Sequence, residues 1–160
     1  MKANRLSLTI LTACLFATIL TFAAPVPLQN ATATFSQTSP GTFVVGAAIN
    51  GTSTDSQGWA IDPQTGPQTA VFETAIYTGL AETNILTIKL IHGFSAWGQH
   101  IIGRFRLSVT TDDRSTFADG LPVGGDVTAN WVVLNPETFT SSAGATMTKQ
   151  PDLSILVSGF

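Results

Sequence analysis

The chain has 160 residues, enough for one domain with a real core. Only 11% of them are charged, and 7 Lys and Arg against 10 Asp and Glu give a formal net charge of −3. With no basic patch in the sequence, nucleic acid and anionic membranes are excluded as expected partners.

The N-terminus has the layout of a secretory leader. Lys2 and Arg5 make a positive n-region, residues 6–20 form an uncharged apolar run, and Thr21-Phe22-Ala23 supplies a small-x-Ala cleavage pattern. Residues 1–23 are therefore expected to be a signal peptide cut after Ala23. The apolar run is short for a spanning helix, which needs about 20 residues, and no basic cluster follows it. No stable membrane insertion is expected after cleavage, and the expected location is secreted, periplasmic or cell-surface. Cys14, the only cysteine, lies in Leu11-Thr12-Ala13-Cys14, which has the look of a bacterial lipoprotein box. The apolar stretch before it is very short, and residues 15–20 after it are apolar where a lipid tether is polar. Cys14 is expected to leave with the leader. The mature chain then has no disulfide and depends on its core for stability. Cleavage also removes two of the 7 basic residues and none of the acidic ones.

Beyond the leader no amphipathic helical pattern is found, and Thr, Ser, Gly, Val and Ile dominate, which suits strands and turns. Residues 31–37 place Ala31, Ala33 and Phe35 on one face and Thr32, Thr34 and Ser36 on the other. Residues 43–49 form a mostly apolar strand-like run that stops at Asn50-Gly51, a strong turn pair. A polar loop over 52–58 leads into Trp59-Ala60-Ile61, which Asp62-Pro63 breaks. Further strands are predicted over 70–74 and 85–90, the latter with Leu86, Ile88 and Leu90 opposite Thr87 and Lys89. After a loop over 92–100, residues 103–111 give the clearest alternation: Phe105, Leu107 and Val109 against Arg104, Arg106, Ser108 and Thr110. Residues 112–125 are rich in Asp, Gly and Pro and read as a linker or long loop. Residues 131–134 and 154–158 look like strands again, with small residues between. The chain stops at Phe160, directly after a strand. An edge left there is expected to be covered by a partner, or the sequence to be a fragment of a longer protein. The frequent turns and short alternating runs predict an all-β fold, an antiparallel β-sandwich of jelly-roll type.

Several of these residues carry a resemblance. Ala31-Thr32-Ala33-Thr34-Phe35-Ser36-Gln37 looks like the opening strand of discoidin-like, galactose-binding-like domains. An apolar stretch, an amide with Gly, a polar loop and a Trp follow, as in that family: Ala47-Ala48-Ile49-Asn50-Gly51, then Trp59. The chain resembles more closely modules of large secreted bacterial proteins that also carry cytochrome-c-like domains. The stretches Gly58-Trp59-Ala60-Ile61-Asp62-Pro63-Gln64, Ala70-Val71-Phe72-Glu73-Thr74 and Ile102 to Thr110 match those modules together, and the likeness covers residues 31–111. Trp131 to Pro136 and Asp152 to Gly159 resemble the beginning of a neighbouring module. The implied division is a signal peptide (1–23), a discoidin-like β-sandwich region (24–111), a linker or long loop (112–128), and a final stretch (129–160). That last stretch is either the start of a second β module or the closing strands of the same sandwich. Cys-x-x-Cys-His is absent, so this chain attaches no c-type haem. Relatives usually have Asp before the turn Gly, in a loop that can hold a structural calcium. Here it is Asn50, which offers a neutral oxygen, with Asp55 or Glu73 to add charge. No other cofactor is implied.

Catalytic patterns are weak. His92 and His100 flank an aromatic loop without supporting Cys or carboxylates and read as loop residues. Asp112-Asp113 is an adjacent pair expected to diverge rather than to face each other across a cleft, as glycosidases require. Gly93-Phe94-Ser95-Ala96-Trp97 lacks the second Gly of a nucleophile elbow. Trp97 sits in a polar loop with Phe94, Gln99 and His100 nearby, a rim suited to stacking on sugar faces and hydrogen-bonding hydroxyls. Trp59 is expected in the core, and Arg104 and Arg106 are expected to pair with acidic residues of an adjacent strand. The sequence therefore predicts a secreted non-catalytic binding module for carbohydrate or a surface polymer. The alternative is a spacer or docking domain among other domains of a larger protein. An extracellular polysaccharide hydrolase ranks last, since it needs groups such as Asp55, Asp62 and Glu73 to converge.

Overall fold

A computed structural model describes residues 24–39, 43–52, 58–76, 85–93 and 102–159. The expected signal peptide and Cys14 lie outside these residues. The described part is all-β. Seven strands occur in chain order: β1 (Leu28–Ala33), β2 (Ala70–Thr74), β3 (Arg104–Phe105), β4 (Ser108–Val109), β5 (Val132–Val133), β6 (Thr146–Lys149) and β7 (Ile155–Ser158). Every pairing is antiparallel. Among the described residues there is no α-helix, only two short 3-10 turns, Val45–Ile49 and Arg114–Thr116.

The strands form three small ladders, β1-β2, β3-β7-β6 and β4-β5. In the first, Thr32 faces Val71 and Ala33 faces Ala70, with an irregularity between Gln29 and Thr32. Asn30 sits in that irregularity at φ 52. Asn tolerates this left-handed conformation better than most residues, because its short polar side chain bonds locally. The C-terminal strands pair back onto the strongly alternating stretch, Arg104 facing Leu156 and Ser108 facing Val133. That stretch is split into β3 and β4 because each half has its own partner.

Both faces of the C-terminal end of β1 are covered. Thr32 and Ala33 are each fully buried. The cover comes from residues 112–125, which lie against the chain rather than away from it. Ala33 N–H donates to Leu121 O (3.0 Å), Gly124 N–H to Thr34 O (2.8 Å) and Gly125 N–H to Ala33 O (3.0 Å). Gly120 N–H donates to Thr32 Oγ1 at 2.8 Å. The loop also inserts Phe117 and Ala118 beside Val71, and Val127, Ala129 and Trp131 pack around this cluster. The core thus sits where β2, the loop and the approach to β5 meet.

Two sequence expectations are corrected. Residues 43–49, read as strand-like, form an isolated bridge from Phe43 to Gln37 and then the 3-10 turn Val45–Ile49. Small Gly46-Ala47-Ala48 carry no β-branching to favour extension. Buried Ser36 holds the turn's start by accepting from Val45 N–H at 3.1 Å. Residues 85–90, read as a strand, join no ladder among the described residues. Among the described residues their alternation meets no neighbouring strand, and Ile85 is 88% exposed. Conversely, β6 was hidden in a small-residue stretch and becomes visible only through its pairing with β7, Met147 facing Val157.

Candidate functional site

Five of the six residues expected to contact a ligand or cation, Phe94, Trp97, Gln99, His100 and Asp55, lie outside the described residues. Asn50 is described. It follows the turn Val45–Ile49, and its side chain closes a local Asx turn. Oδ1 accepts from Thr52 N–H at 2.9 Å and from Thr52 Oγ1 at 2.7 Å. This is the behaviour expected of Asn in a turn. Gly51 follows at φ 79, where a Cβ is disfavoured.

Gly51 and Thr52 border an open groove of about 310 Å³ whose other walls are Leu28, Ala48, Ile49 and Ile91. The groove is therefore apolar at its base, with the polar Asn-Gly-Thr turn at one rim. Such a surface suits a ligand with one apolar face and hydrogen-bonding edges. His92 follows Ile91, and partial desolvation lowers its pKa from the usual 6.5. It is thus biased towards neutral imidazole, able both to donate and to accept.

Glu73, on β2, is the main charged hub. Its Oε2 accepts from Gln29 Nε2 at 3.2 Å and from Asn30 Nδ2, and lies 3.3 Å from Arg114 Nε. The Arg114 contact is an ion pair without hydrogen-bond geometry. Glu73 is thus committed to holding β1 and the covering loop together. Asp62 is exposed elsewhere in the chain.

Arg114 also borders a second groove of about 280 Å³ with Asp119 and Asp126. The two carboxylates cap their own turns. Asp119 Oδ1 accepts from Leu121 N–H (3.2 Å), and Asp126 Oδ1 accepts from Thr128 N–H (2.8 Å). The Thr128 bonds hold the Asp126 carboxyl below its ordinary range. The composition marked this stretch only as a loop. The available signal was the Asp-x-polar spacing that produces Asx turns.

Other expected residues have clear places. Trp59 is half-buried, and its Nε1 donates to Phe35 O at 2.9 Å, which satisfies its one polar group. Asp112 accepts from Asn130 N–H (2.7 Å) and Nδ2 (2.9 Å), whereas Asp113 accepts from Ser115 N–H (2.9 Å). The adjacent carboxylates therefore serve separate turns. Arg104 Nη2 pairs with Asp152 Oδ2 at 2.8 Å, and its Nε donates to Ser154 Oγ at 2.8 Å. Among the described residues no three His, Cys, Asp or Glu side chains gather as a metal cluster. Among the same residues no helix is long and apolar enough to cross a membrane. In comparisons with protein families, curated proteins and solved structures, nothing matches the chain.

Proposed function

We propose that the protein is a secreted, non-catalytic binding module of jelly-roll, discoidin-like architecture that takes carbohydrate or another extracellular polymer. The observation that carries the proposal is an antiparallel all-β chain, read together with a segment order that resembles discoidin-like domains and an N-terminus with the layout of a secretory leader. Trp97 and Phe94 would stack on sugar faces, and Gln99 and His100 would bond hydroxyls. The groove at Gly51, Thr52 and Ile91 is a second surface of suitable character. Asn50 and Asp55 are the proposed oxygen ligands if a calcium ion accompanies binding.

The test is a glycan array followed by titration calorimetry on the chain without its leader. Binding to a glycan or cell-wall preparation is expected. Trp97→Ala is expected to weaken it by about tenfold, or about 1.4 kcal/mol. Repeating the titration with a chelator checks the calcium ligands. Absence of binding to every glycan and wall preparation would overturn the proposal.

A second reading, a docking domain within a larger secreted protein, is favoured by one observation. The stretch around residues 85–91 is unusually apolar for a surface, with Ile85 88% and Ile91 60% exposed. Exposed apolar patches of this kind mark interaction sites. Co-purification with a defined neighbouring domain, lost in an Ile85→Asp/Ile91→Asp double variant that still folds, would support it.

A further inference from the structure

We propose that Asn50 is a site of spontaneous deamidation, at which the Asn50–Gly51 turn of the folded protein converts to aspartate and isoaspartate. The chemistry needs a backbone nitrogen that can reach the preceding side-chain carbonyl carbon. A solvent base removes the Gly51 amide proton, and the nitrogen attacks Cγ of Asn50. The new C–N bond closes a five-membered succinimide, the Cγ–Nδ2 bond breaks, and ammonia leaves with a proton from solvent. Water then opens the ring at either carbonyl, giving aspartate or isoaspartate. Only water is consumed and ammonia released; the base is regenerated, and there is no change of oxidation state.

Four features of the turn favour this step. Asn50 is exposed, so base and water reach it. Gly51 has no side chain to obstruct ring closure, and nothing lies within 4 Å of where a Cβ would stand. Thr52 donates both its N–H and its hydroxyl to Asn50 Oδ1, at 2.9 and 2.7 Å. Those bonds withdraw electron density from Cγ and stabilise the oxyanion that forms during attack, as donors aimed at a developing charge do. Finally, the Gly51 N–H meets no hydrogen-bond acceptor among the described residues. One feature opposes it. Asn50 rests at ψ 1, and ring closure requires rotation about that bond. The rotation is about a bond at the end of a short 3-10 turn, at an exposed residue.

The chain also contains a contrasting pair. Asp119-Gly120 can form the same succinimide in principle, and Gly120 is also in the left-handed region at φ 81. There, however, the Gly120 N–H is donated to fully buried Thr32, at 2.8 Å to Oγ1. Both Asp119 oxygens also receive backbone N–H groups, from Leu121 at 3.2 Å and Asp126 at 3.4 Å. Closing that ring would break a bond that ties the loop to β1. The structure thus leaves the Asn50-Gly51 amide open to attack and locks the second pair, whose ionised carboxylate is in any case a poorer electrophile than an amide. The product at residue 50 places a carboxylate beside the apolar groove. The step needs no ligand and stands independently of the binding proposal.

The experiment ages the full chain in mildly alkaline buffer, with conversion at each site followed by peptide mapping and fragmentation that separates aspartate from isoaspartate. Residue 50 is expected to gain the mass difference between an amide and an acid. It should do so at least as fast as a synthetic peptide of the same local sequence. Asn50→Gln, which cannot close the five-membered ring, should abolish the conversion. Gly51→Ala should slow it by an order of magnitude. Retention of the amide at residue 50 while a synthetic peptide of the same local sequence converts would overturn the proposal. Earlier accumulation at residue 119 would do the same.

Discussion

The indole of Trp131 stands edge-on to the ring of Phe117, with centroids 5.7 Å apart and planes at 85°. Trp131 also donates Nε1 to Val127 O at 2.9 Å. Phe117, Ala118 and Val71 complete the cluster, so this contact fastens the loop after β4 to β2 and to the approach to β5. Edge-to-face pairs contribute about 0.5–1.5 kcal/mol beyond the area they bury. Phe117→Ala removes both terms and leaves a hole, and it should lower the unfolding free energy by about 3 kcal/mol. Urea unfolding measures this. A loss below about 1 kcal/mol would mean that the loop is not part of the cooperative core.

Thr32 links the same loop to β1 through a different interaction. Its hydroxyl is buried and accepts from Gly120 N–H at 2.8 Å. Thr32→Val keeps the shape and removes only the acceptor, so it should cost about 1 kcal/mol. Thr32→Ser keeps the acceptor and loses a methyl group. If the hydrogen bond matters more than the methyl contact, amide exchange at Gly120 will accelerate in the Val variant and not in the Ser variant.

These residues show how far the sequence could be read. A short apolar, β-branched run located β2, and alternation located the stretch that became β3 and β4. The alternation in residues 31–37 placed Thr32 on the face opposite Ala31 and Ala33 and said nothing of what covers that face. What buries Thr32 is a segment almost ninety positions further on, and Gly- and Pro-rich composition says nothing of where a loop lies. Residues 85–90 show the converse: Leu86, Ile88 and Leu90 have strand periodicity, yet a strand also needs a neighbour to bond with. For the candidate site, Asn50-Gly51 was legible as a turn because its conformation is set locally. The contacts that Asn30 and Arg114 make to Glu73 were not, since they join three segments that are remote in sequence.

Gly125 reports on the closeness of that loop to β1. A Cβ added there would stand 2.5 Å from Thr32 Cγ2, 2.8 Å from Leu121 O and 3.0 Å from Ala33 O. Both oxygens belong to the backbone and accept the bonds that hold the loop, from Ala33 N–H and from Gly125 N–H itself. Neither can retreat without lengthening one of those bonds. Gly125→Ala should therefore destabilise by about 2 kcal/mol, within the range for forced overpacking. Shaving Thr32 to Ser in the same chain removes the nearest atom and should recover part of the loss. Strict additivity of the two variants would show that the contact is not direct.

Asp152 gives the fold its acid sensitivity, and its sign can be worked out. The carboxylate accepts from Ser154 Oγ at 2.6 Å, from Ser154 N–H at 3.2 Å and from Arg104 Nη2 at 2.8 Å. The Ser154 hydroxyl first, then its N–H, and to a smaller degree Arg104 lower the pKa from the usual 3.8 to about 2. The folded value is below the unfolded one, so folding favours the charged form. The stabilisation is complete above the unfolded value of 3.8 and is lost as pH falls through the folded value of about 2. Over that window the urea midpoint of the parent chain should fall with acidity more steeply than that of Asp152→Asn. Some slope will remain in the variant, because Asp113 and Asp126 are lowered in the same direction by Ser115 and Thr128. Arg104 is the minor cause, so Arg104→Ala should leave most of the shift in place, whereas Ser154→Ala should move the Asp152 titration upward. Carboxyl chemical shifts followed by NMR distinguish the two. A larger upward move in the Arg104 variant would show that charge pairing, rather than the serine bonds, keeps Asp152 ionised.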